Sequence, residues 1–111
     1  MSPAPAETAT VLVLTTVSGE GHPEALARVL VEERLAACVN LLPPMTSIYR
    51  WQGTVAQEQE HLLLIKTTRP RLDALRARLH ALHPYEVPEF LVLAVAGGSE
   101  RYLDWVRGSV E

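Results

Sequence analysis

The sequence predicts an α+β domain in which two helices cover one face of a four-stranded sheet. Apolar, β-branched runs alternate with segments whose apolar residues recur at helical spacing, and the order of these segments is β-α-β-β-α-β. The length of 111 residues, of which 48% are hydrophobic and 21% charged, suits one domain of usual size. We expect residues 1–8, which are rich in Pro and Ala, to form a disordered leader and residues 9–111 to form the domain.

The first half of the chain predicts two strands with a helix between them. Residues 11–17 form an apolar, β-branched run typical of a strand that is buried on much of both faces. Pro23 suits the first turn of a helix, and the apolar stripe that follows extends this helix to about Arg34. Residues 36–51 have strand composition and predict one long strand that bends at Pro43-Pro44.

The second half predicts a hairpin, a helix, a last strand and a C-terminal helix. Gly53 offers a turn before a polar stretch and the apolar strand 61–68. The next helix begins near Arg69 and ends near Leu82 or His83. Its apolar stripe consists of Leu72, Leu75, Leu79 and Leu82. Residues 90–96 predict a buried fourth strand, and Ser99 is a good N-cap for the final helix.

This order of elements is the ferredoxin-like split βαβ arrangement with an extra C-terminal helix. In that arrangement the two helices cover one face of the sheet and leave the other face open. Several of the strands are apolar on both sides, and an open apolar sheet face is a large exposed patch. Self-association buries such a patch, so the sequence predicts a closed homo-oligomer.

Composition excludes several classes of function. The net charge of −3 and the absence of a basic stripe argue against a nucleic-acid partner. The longest apolar runs fall far short of the ~18 residues that a membrane span needs. The N-terminus lacks a secretory signal and Cys38 is the single cysteine, which together predict a cytoplasmic protein. No nucleophile signature surrounds Cys38 or any serine, so we expect no enzymatic activity.

Candidate metal ligands lie in the segment 83–89, where two prolines predict one stiff loop. His83 is a potential metal ligand or base, but it also fits a helix C-terminus, where it bonds a free carbonyl. Glu86 and Glu89 lie three residues apart and either converge on a cation or remain solvated. Cys38, on an apolar strand, is either a small buried hydrophobe or a soft ligand for copper or zinc.

A second candidate site is a cleft formed by Tyr49, Trp51 and Lys66. The strand that carries the two aromatic residues pairs with the strand that ends near Lys66. If the three side chains share a face, they suit an anion or an aromatic ligand through hydrogen bonds and cation–π contact. The alternative is that Tyr49 and Trp51 are anchors in a subunit interface. Both interpretations hold if the cleft lies between subunits.

Four short motifs together resemble the CutA divalent-cation tolerance proteins. They are Ala37-Cys38-Val39-Asn40, Ser47-Ile48-Tyr49-Arg50-Trp51-Gln52-Gly53, Ile65-Lys66-Thr67 and His83-Pro84-Tyr85-Glu86-Val87-Pro88-Glu89. The resemblance spans about residues 10–110 in an unbroken order, which makes it more specific than any one motif.

The resemblance implies a trimer of ferredoxin-like subunits, similar in architecture to the PII signal proteins. It also implies a role in tolerance to divalent metals, with copper(II) or another divalent cation bound and no known catalysis. By resemblance His83 is the first metal candidate, Cys38 matches a common family cysteine, and Tyr85 helps to line the cleft between subunits. Thr15 and Leu82 replace a Cys and a His of some members, which removes two soft or borderline ligands.

Two functional hypotheses follow from the residues and the resemblance. The first is a cytoplasmic homotrimer for divalent-cation tolerance, in which His83 binds metal together with Glu86 or Glu89. The second is a PII-like signalling or scaffold trimer that binds a small anion or a partner protein in the cleft between subunits.

Overall fold

The computed structural model describes residues 8–111, which contain five strands and three α-helices. The elements are β1 Thr10–Val17, α1 Pro23–Glu32, β2 Cys38–Leu41, β3 Met45–Trp51, β4 Thr54–Thr68, α2 Leu72–Leu82, β5 Leu91–Ala94 and α3 Glu100–Val110. Most of the expected leader lies outside the described residues, so the division at residue 8 stays a prediction. Thr8 itself donates from its hydroxyl to the Val95 carbonyl at 2.9 Å.

The sheet is antiparallel with the strand order β2-β4-β1-β5, and β3 pairs with β4 beside this path. This order and the succession of helices confirm the α+β, ferredoxin-like prediction. Helices α1 and α2 cover one face, as expected, because their apolar stripes face the alternate residues of β1 and β4. The core of this layer is Val13, Val17, Leu26, Leu30, Leu35, Ala36, Leu63, Ile65, Leu75 and Leu79.

β4 is longer than the sequence predicted. It contains 15 residues, and the polar stretch 56–60, which we expected to lie outside a strand, belongs to it. Its first half pairs only with β3, whereas its second half, from His61, lies between β1 and β2. The first half therefore projects from the sheet as a two-stranded hairpin, where polar side chains are tolerated because little of the strand is buried.

The predicted long strand 36–51 is two strands, β2 and β3, separated at Pro43-Pro44. Both halves pair with the same strand, β4, so the predicted bend is present as a short interruption of the ladder. At the other end of β3, Gln52 and Gly53 have φ angles of 48° and 84°. Two residues with positive φ form the tight hairpin turn expected at Gly53.

β5 is shorter and more exposed than the predicted buried strand 90–96. It pairs with β1 alone and lies at an edge of the sheet, and all four of its residues are exposed. Its apolar composition indicated burial, but its outer edge has no partner strand among residues 8–111. An apolar edge strand of this kind is a template for pairing with another chain.

α3 begins after Ser99, as predicted, although the Ser99 hydroxyl makes no capping hydrogen bond. The C-terminal end of this helix is fixed from two sides. Arg71 donates to the Val110 carbonyl at 2.6 Å, and Arg34 donates to the Glu111 carbonyl at 3.2 Å. None of the helices in residues 8–111 has the length and apolar character needed to cross a membrane.

Two buried threonines in the sheet allow a stability prediction. Thr67 donates to the Leu35 carbonyl at 2.7 Å, whereas the fully buried Thr15 hydroxyl has no hydrogen-bond partner within the described chain. Thr15→Val is therefore expected to raise the free energy of unfolding by about 1 kcal/mol, because it removes an unpaired buried hydroxyl. Thr67→Val should lower it by a similar amount. Denaturant unfolding at one fixed protein concentration measures both, and equal signs would contradict this account.

Candidate functional site

A cleft of about 700 Å³ lies on the open face of the sheet, between the projecting hairpin and the loop 85–89. We call it the acidic cleft because four glutamates line it and no Lys, Arg or His of the described chain does. The glutamates are Glu58, Glu60, Glu86 and Glu89. Three aromatic side chains, Tyr49, Trp51 and Tyr85, also line it. The cleft therefore combines negative charge with aromatic surface.

The register of the β3–β4 hairpin places the aromatic and acidic residues on one face. Trp51 pairs with Thr54, Tyr49 with Ala56, and Ser47 with Glu58. Residues directly opposite each other in an antiparallel pair share a face, and so do residues two apart along a strand. The β4 alternation then continues from Glu58 through Glu60 to the open face of the main sheet.

His83 holds the loop in place. The residue is 7% exposed, and its Nε2 lies 2.9 Å from the Thr16 carbonyl of β1. Its Nδ1 accepts a hydrogen bond from the backbone N–H of Tyr85 at 3.1 Å. Because Nδ1 accepts, Nε2 carries the proton and donates to Thr16. Burial lowers the pKa of His83, and this effect exceeds the opposing one of the Thr16 carbonyl, so the neutral ring is favoured.

A close contact between Gly21 and Pro84 also fixes the position of this loop. A Cβ at Gly21 would lie 2.6 Å from Val17 and 3.0 Å from Pro84. Only glycine leaves room for Pro84 to approach the turn that follows β1. The first residues of the loop are thus fixed by this packing as well as by the two hydrogen bonds of the His83 ring.

Electrostatics in the acidic cleft are dominated by Glu60, which is 6% exposed. The Tyr85 hydroxyl donates to Glu60 Oε2 at 2.8 Å, and burial together with this carboxylate raises the pKa of Tyr85 to about 12. Burial, then the nearby Glu60, also raises the pKa of Glu89. Burial and the neighbouring Glu58 raise the pKa of Tyr49. Burial is the largest cause of each shift, and the neighbouring carboxylates act in the same direction.

The predicted metal ligands are not brought together. Both ring nitrogens of His83 bond the backbone, so in this arrangement neither has a lone pair directed at the acidic cleft. Cys38 lies on β2 opposite Lys66 and does not line the cleft. Glu86 and Glu89 do line it. Across residues 8–111 no three His, Cys, Asp or Glu side chains are grouped so that they could chelate a metal ion.

The predicted cleft residues are brought together in part. Tyr49, Trp51 and Tyr85 line the acidic cleft, but Lys66 does not. The Lys66 ammonium lies instead 5.8 Å from the centroid of the Tyr102 ring of α3. Lys66 lies farther along β4, opposite Leu12 and Cys38, whereas glutamates lie opposite β3, so within one chain Lys66 is apart from the aromatic pair. Its predicted place in a cleft between subunits stays a prediction.

Sequence reasoning missed Glu58 and Glu60. Both fell in the polar stretch that we expected to lie outside a strand, so they were assigned to no face of the sheet. The signal that would have found them is the alternation that starts from the Gly53 turn, since Ala56, Glu58 and Glu60 are each two residues apart.

Fold and site together define a class: a small α+β protein of ferredoxin-like architecture whose extended hairpin and helix-to-strand loop enclose an acidic, aromatic cleft. Residues 11–109 match the family described as "CutA1 divalent ion tolerance protein". The chain belongs to this family, which confirms the resemblance found from its motifs. Neither the family description nor the names of the relatives below specify a catalysed reaction.

Relatives with matching sequences occur in bacteria and eukaryotes. The chain is 55% identical over 96 residues to the "Divalent-cation tolerance protein CutA" of Thermus thermophilus, a match that covers 86% of this chain and 93% of the relative. It is 45% identical over 96 residues to the human "Protein CutA", with 86% of this chain and 54% of the human protein covered.

Solved structures agree with the fold. The divalent cation tolerance protein from Thermus thermophilus superposes with a TM-score of 0.88 at 52% identity, covering 92% of this chain and 99% of that chain. The apo form of a "PII-like protein CutA" from Nostoc sp. PCC 7120 superposes with a TM-score of 0.85 at 42% identity. That alignment covers 91% of this chain and 97% of the Nostoc chain.

Proposed function

We propose that this protein acts in divalent-cation tolerance as a cytoplasmic, non-catalytic homotrimer that holds hydrated divalent cations, copper(II) among them, at its acidic cleft. The names of its relatives support the link to divalent cations. The geometry of the cleft supports its location. In this proposal the cations are cargo that exchanges with solvent, and His83 positions the loop instead of binding metal.

One observation carries the proposal. Four carboxylates line one cleft, and no cationic side chain from residues 8–111 lines it with them. Like charges gathered in a concave, partly desolvated space create a field that concentrates ions of opposite sign. Carboxylate oxygens are suitable partners for hydrated divalent cations, which retain several of their waters. The same charge argues against the alternative in which a small anion binds in this cleft.

The homotrimer is supported by apolar surface that one chain leaves uncovered. Leu91, Val92 and Leu93 of the edge strand β5 are exposed, and so are Ile48 and Val55 on the hairpin, each by 67%. An isolated two-stranded hairpin is marginally stable in water, so the projecting part of β3 and β4 gains from a neighbour. Edge-to-edge pairing between subunits supplies one. The number of subunits rests on the family resemblance.

The cation site is tested by removing charge from the cleft without changing its shape. The double substitution Glu58→Gln and Glu89→Gln is expected to weaken Mn(II) and Cu(II) binding about thirtyfold, because each of the two lost carboxylates removes on the order of 1 kcal/mol of attraction. Isothermal titration at neutral pH and low ionic strength measures the change. Binding to the unaltered protein should also weaken with added salt.

Two matched variants serve as controls. Glu32→Gln and Glu100→Gln each remove one charge from an exposed position outside the cleft, on α1 and on α3. Each variant should bind Mn(II) and Cu(II) with affinities within about twofold of those of the unaltered protein. Metal binding that persists in the cleft variant but disappears in Cys38→Ser would contradict the proposal and would move the site to β2.

A further inference from the structure

The acidic cleft contains more aromatic surface than a hydrated metal ion uses. Tyr49 and Trp51 lie on the same face of β3, two residues apart, and Tyr85 lines the same cleft from the loop. Met45 adds a polarisable thioether at the base of the same strand. Aromatic faces attract cations, ammonium groups among them, through the ring quadrupole, and the attraction is larger where the cation is desolvated.

We propose that the preferred occupant of the acidic cleft is a small organic cation with an alkylammonium group, held between aromatic rings and carboxylates. This rests on the proposed function, since both place positive charge in the same cleft. It extends that function by naming a ligand class that the metal hypothesis does not include. A diammonium compound, with two charges to share among four glutamates, should bind more tightly than a monoammonium compound.

The buried carboxylate of Glu60 is the second observation that points to such a ligand. It is more than nine-tenths buried, and the hydrogen bond that it accepts within the described residues comes from the neutral Tyr85 hydroxyl. A buried charge is costly unless a group of opposite charge accompanies it. The part of the chain that the structure describes supplies no such group to the lining of the cleft. An ammonium donates up to three hydrogen bonds and fits this need.

The size of the cleft agrees with this ligand class. A volume of about 700 Å³ lies within the range of roughly 300–1,000 Å³ that is usual for small-molecule sites. The apolar side chains of Leu14, Leu62 and Val87 line it as well. An alkyl chain that carries an ammonium group would contact these apolar side chains while its charge faces the glutamates. A metal ion has no apolar surface with which to make such contacts.

The chain contains two tryptophans, which provide a built-in control for the experiment. Both tryptophans are exposed, but Trp51 lines the cleft, whereas Trp105 lies on α3 and does not line it. We would titrate the full-length protein with 1,4-diaminobutane or butylammonium at constant ionic strength and follow both indole N–H signals by NMR. The neutral isosteres 1,4-butanediol and 1-butanol are the matched control ligands.

The expected result is a saturable shift of the Trp51 signal alone, with the diammonium compound bound more tightly than butylammonium and the alcohols inert. Trp51→Leu should weaken the binding of both amines about threefold to tenfold, measured by calorimetry, because the ring attraction is lost. Trp105→Leu, a matched substitution of an exposed tryptophan, should have no effect. The Glu58→Gln and Glu89→Gln double variant should weaken the binding of both amines.

Failure of this proposal differs from failure of the proposed function. If the alcohols bind as well as the amines, or if Trp51 does not respond to the amines, the organic-cation proposal is overturned, whatever Mn(II) does. If Trp51→Leu weakens amine and Mn(II) binding equally, the aromatic contribution is not specific and the proposal is overturned too. Amine binding without Mn(II) binding would support the ligand class and contradict the metal function.

Discussion

Val92→Lys is expected to convert the proposed homotrimer into a monomer. Val92 is 41% exposed on β5, whose outer edge has no partner strand in the described chain. A lysine on an edge strand opposes pairing with another chain, because docking would bury its charge against apolar side chains. Light scattering coupled to size-exclusion chromatography should show a change from about 37 kDa, three times the chain mass of 12.3 kDa, to about 12 kDa.

Val31→Lys is the matched control. Val31 is also 41% exposed, but it lies on α1, away from the sheet edge. This variant should keep the mass of the unaltered protein. A monomer in both variants would indicate that the added charge acts non-specifically, and an unchanged oligomer in Val92→Lys would place the interface elsewhere. A monomeric unaltered protein at micromolar concentration would contradict the homotrimer itself.

His83→Phe is expected to lower the free energy of unfolding by about 3 kcal/mol. The substitution keeps an aromatic ring in the same buried space but removes both nitrogens. The Thr16 carbonyl and the Tyr85 N–H then lose their partners, and each unpaired buried group costs about 1–3 kcal/mol. Denaturant unfolding at a fixed protein concentration measures the loss. Mn(II) affinity should stay within about twofold if the cleft remains folded.

His80→Phe provides the control on the same helix. His80 is exposed near the end of α2, where its ring bonds the Arg76 carbonyl of the preceding turn. Its replacement should change the free energy of unfolding by no more than about 0.5 kcal/mol. A similar loss in both variants would mean that the histidine nitrogens of the loop have no special structural role.

The same histidine gives stability a pH dependence of defined sign. Burial lowers the pKa of His83 below its ordinary value of 6.5, so the unfolded chain binds a proton more readily than the folded chain. The stability contributed by the neutral ring is present above about pH 6.5. It is lost as the pH falls from there through the lowered folded-state pKa. His83→Phe should remove this dependence, which a comparison of the two proteins across that range would show.

Periodicity predicted the layers of the fold because burial enforces it. The leucines of α2 and the alternate residues of β1 face one core, so helix and strand spacing could be read directly. It failed where burial was absent. The polar first half of β4 projects from the sheet, and its strand character comes from pairing with β3 across the Gly53 turn, which hydropathy does not report.

The sequence singled out several residues that line the candidate site, but it did not predict what each of them does there. Tyr49, Trp51 and Tyr85, which we assigned to a cleft, line the acidic cleft, and so does Glu89, which we considered only as a metal ligand. The role of His83 could not be read from spacing, because its partners are a carbonyl of β1, 67 positions away, and the N–H of Tyr85. The position of Lys66 relative to β3 could not be read from spacing either, since which residues of β4 pair with β3 depends on register.

Because β4 is continuous, it restricts where residues can be inserted or deleted in this chain. One unbroken strand carries Glu58 and Glu60 in its outer half and Leu63 and Ile65 in its inner half. Because successive side chains alternate, inserting or deleting a single residue between the halves would turn both glutamates away from the open face of the main sheet. An indel of odd length within the strand is therefore expected to disrupt the acidic cleft unless a β-bulge absorbs the extra residue. The Gln52–Gly53 turn, at the tip, is where descendants of this sequence can vary in length while they keep the acidic cleft.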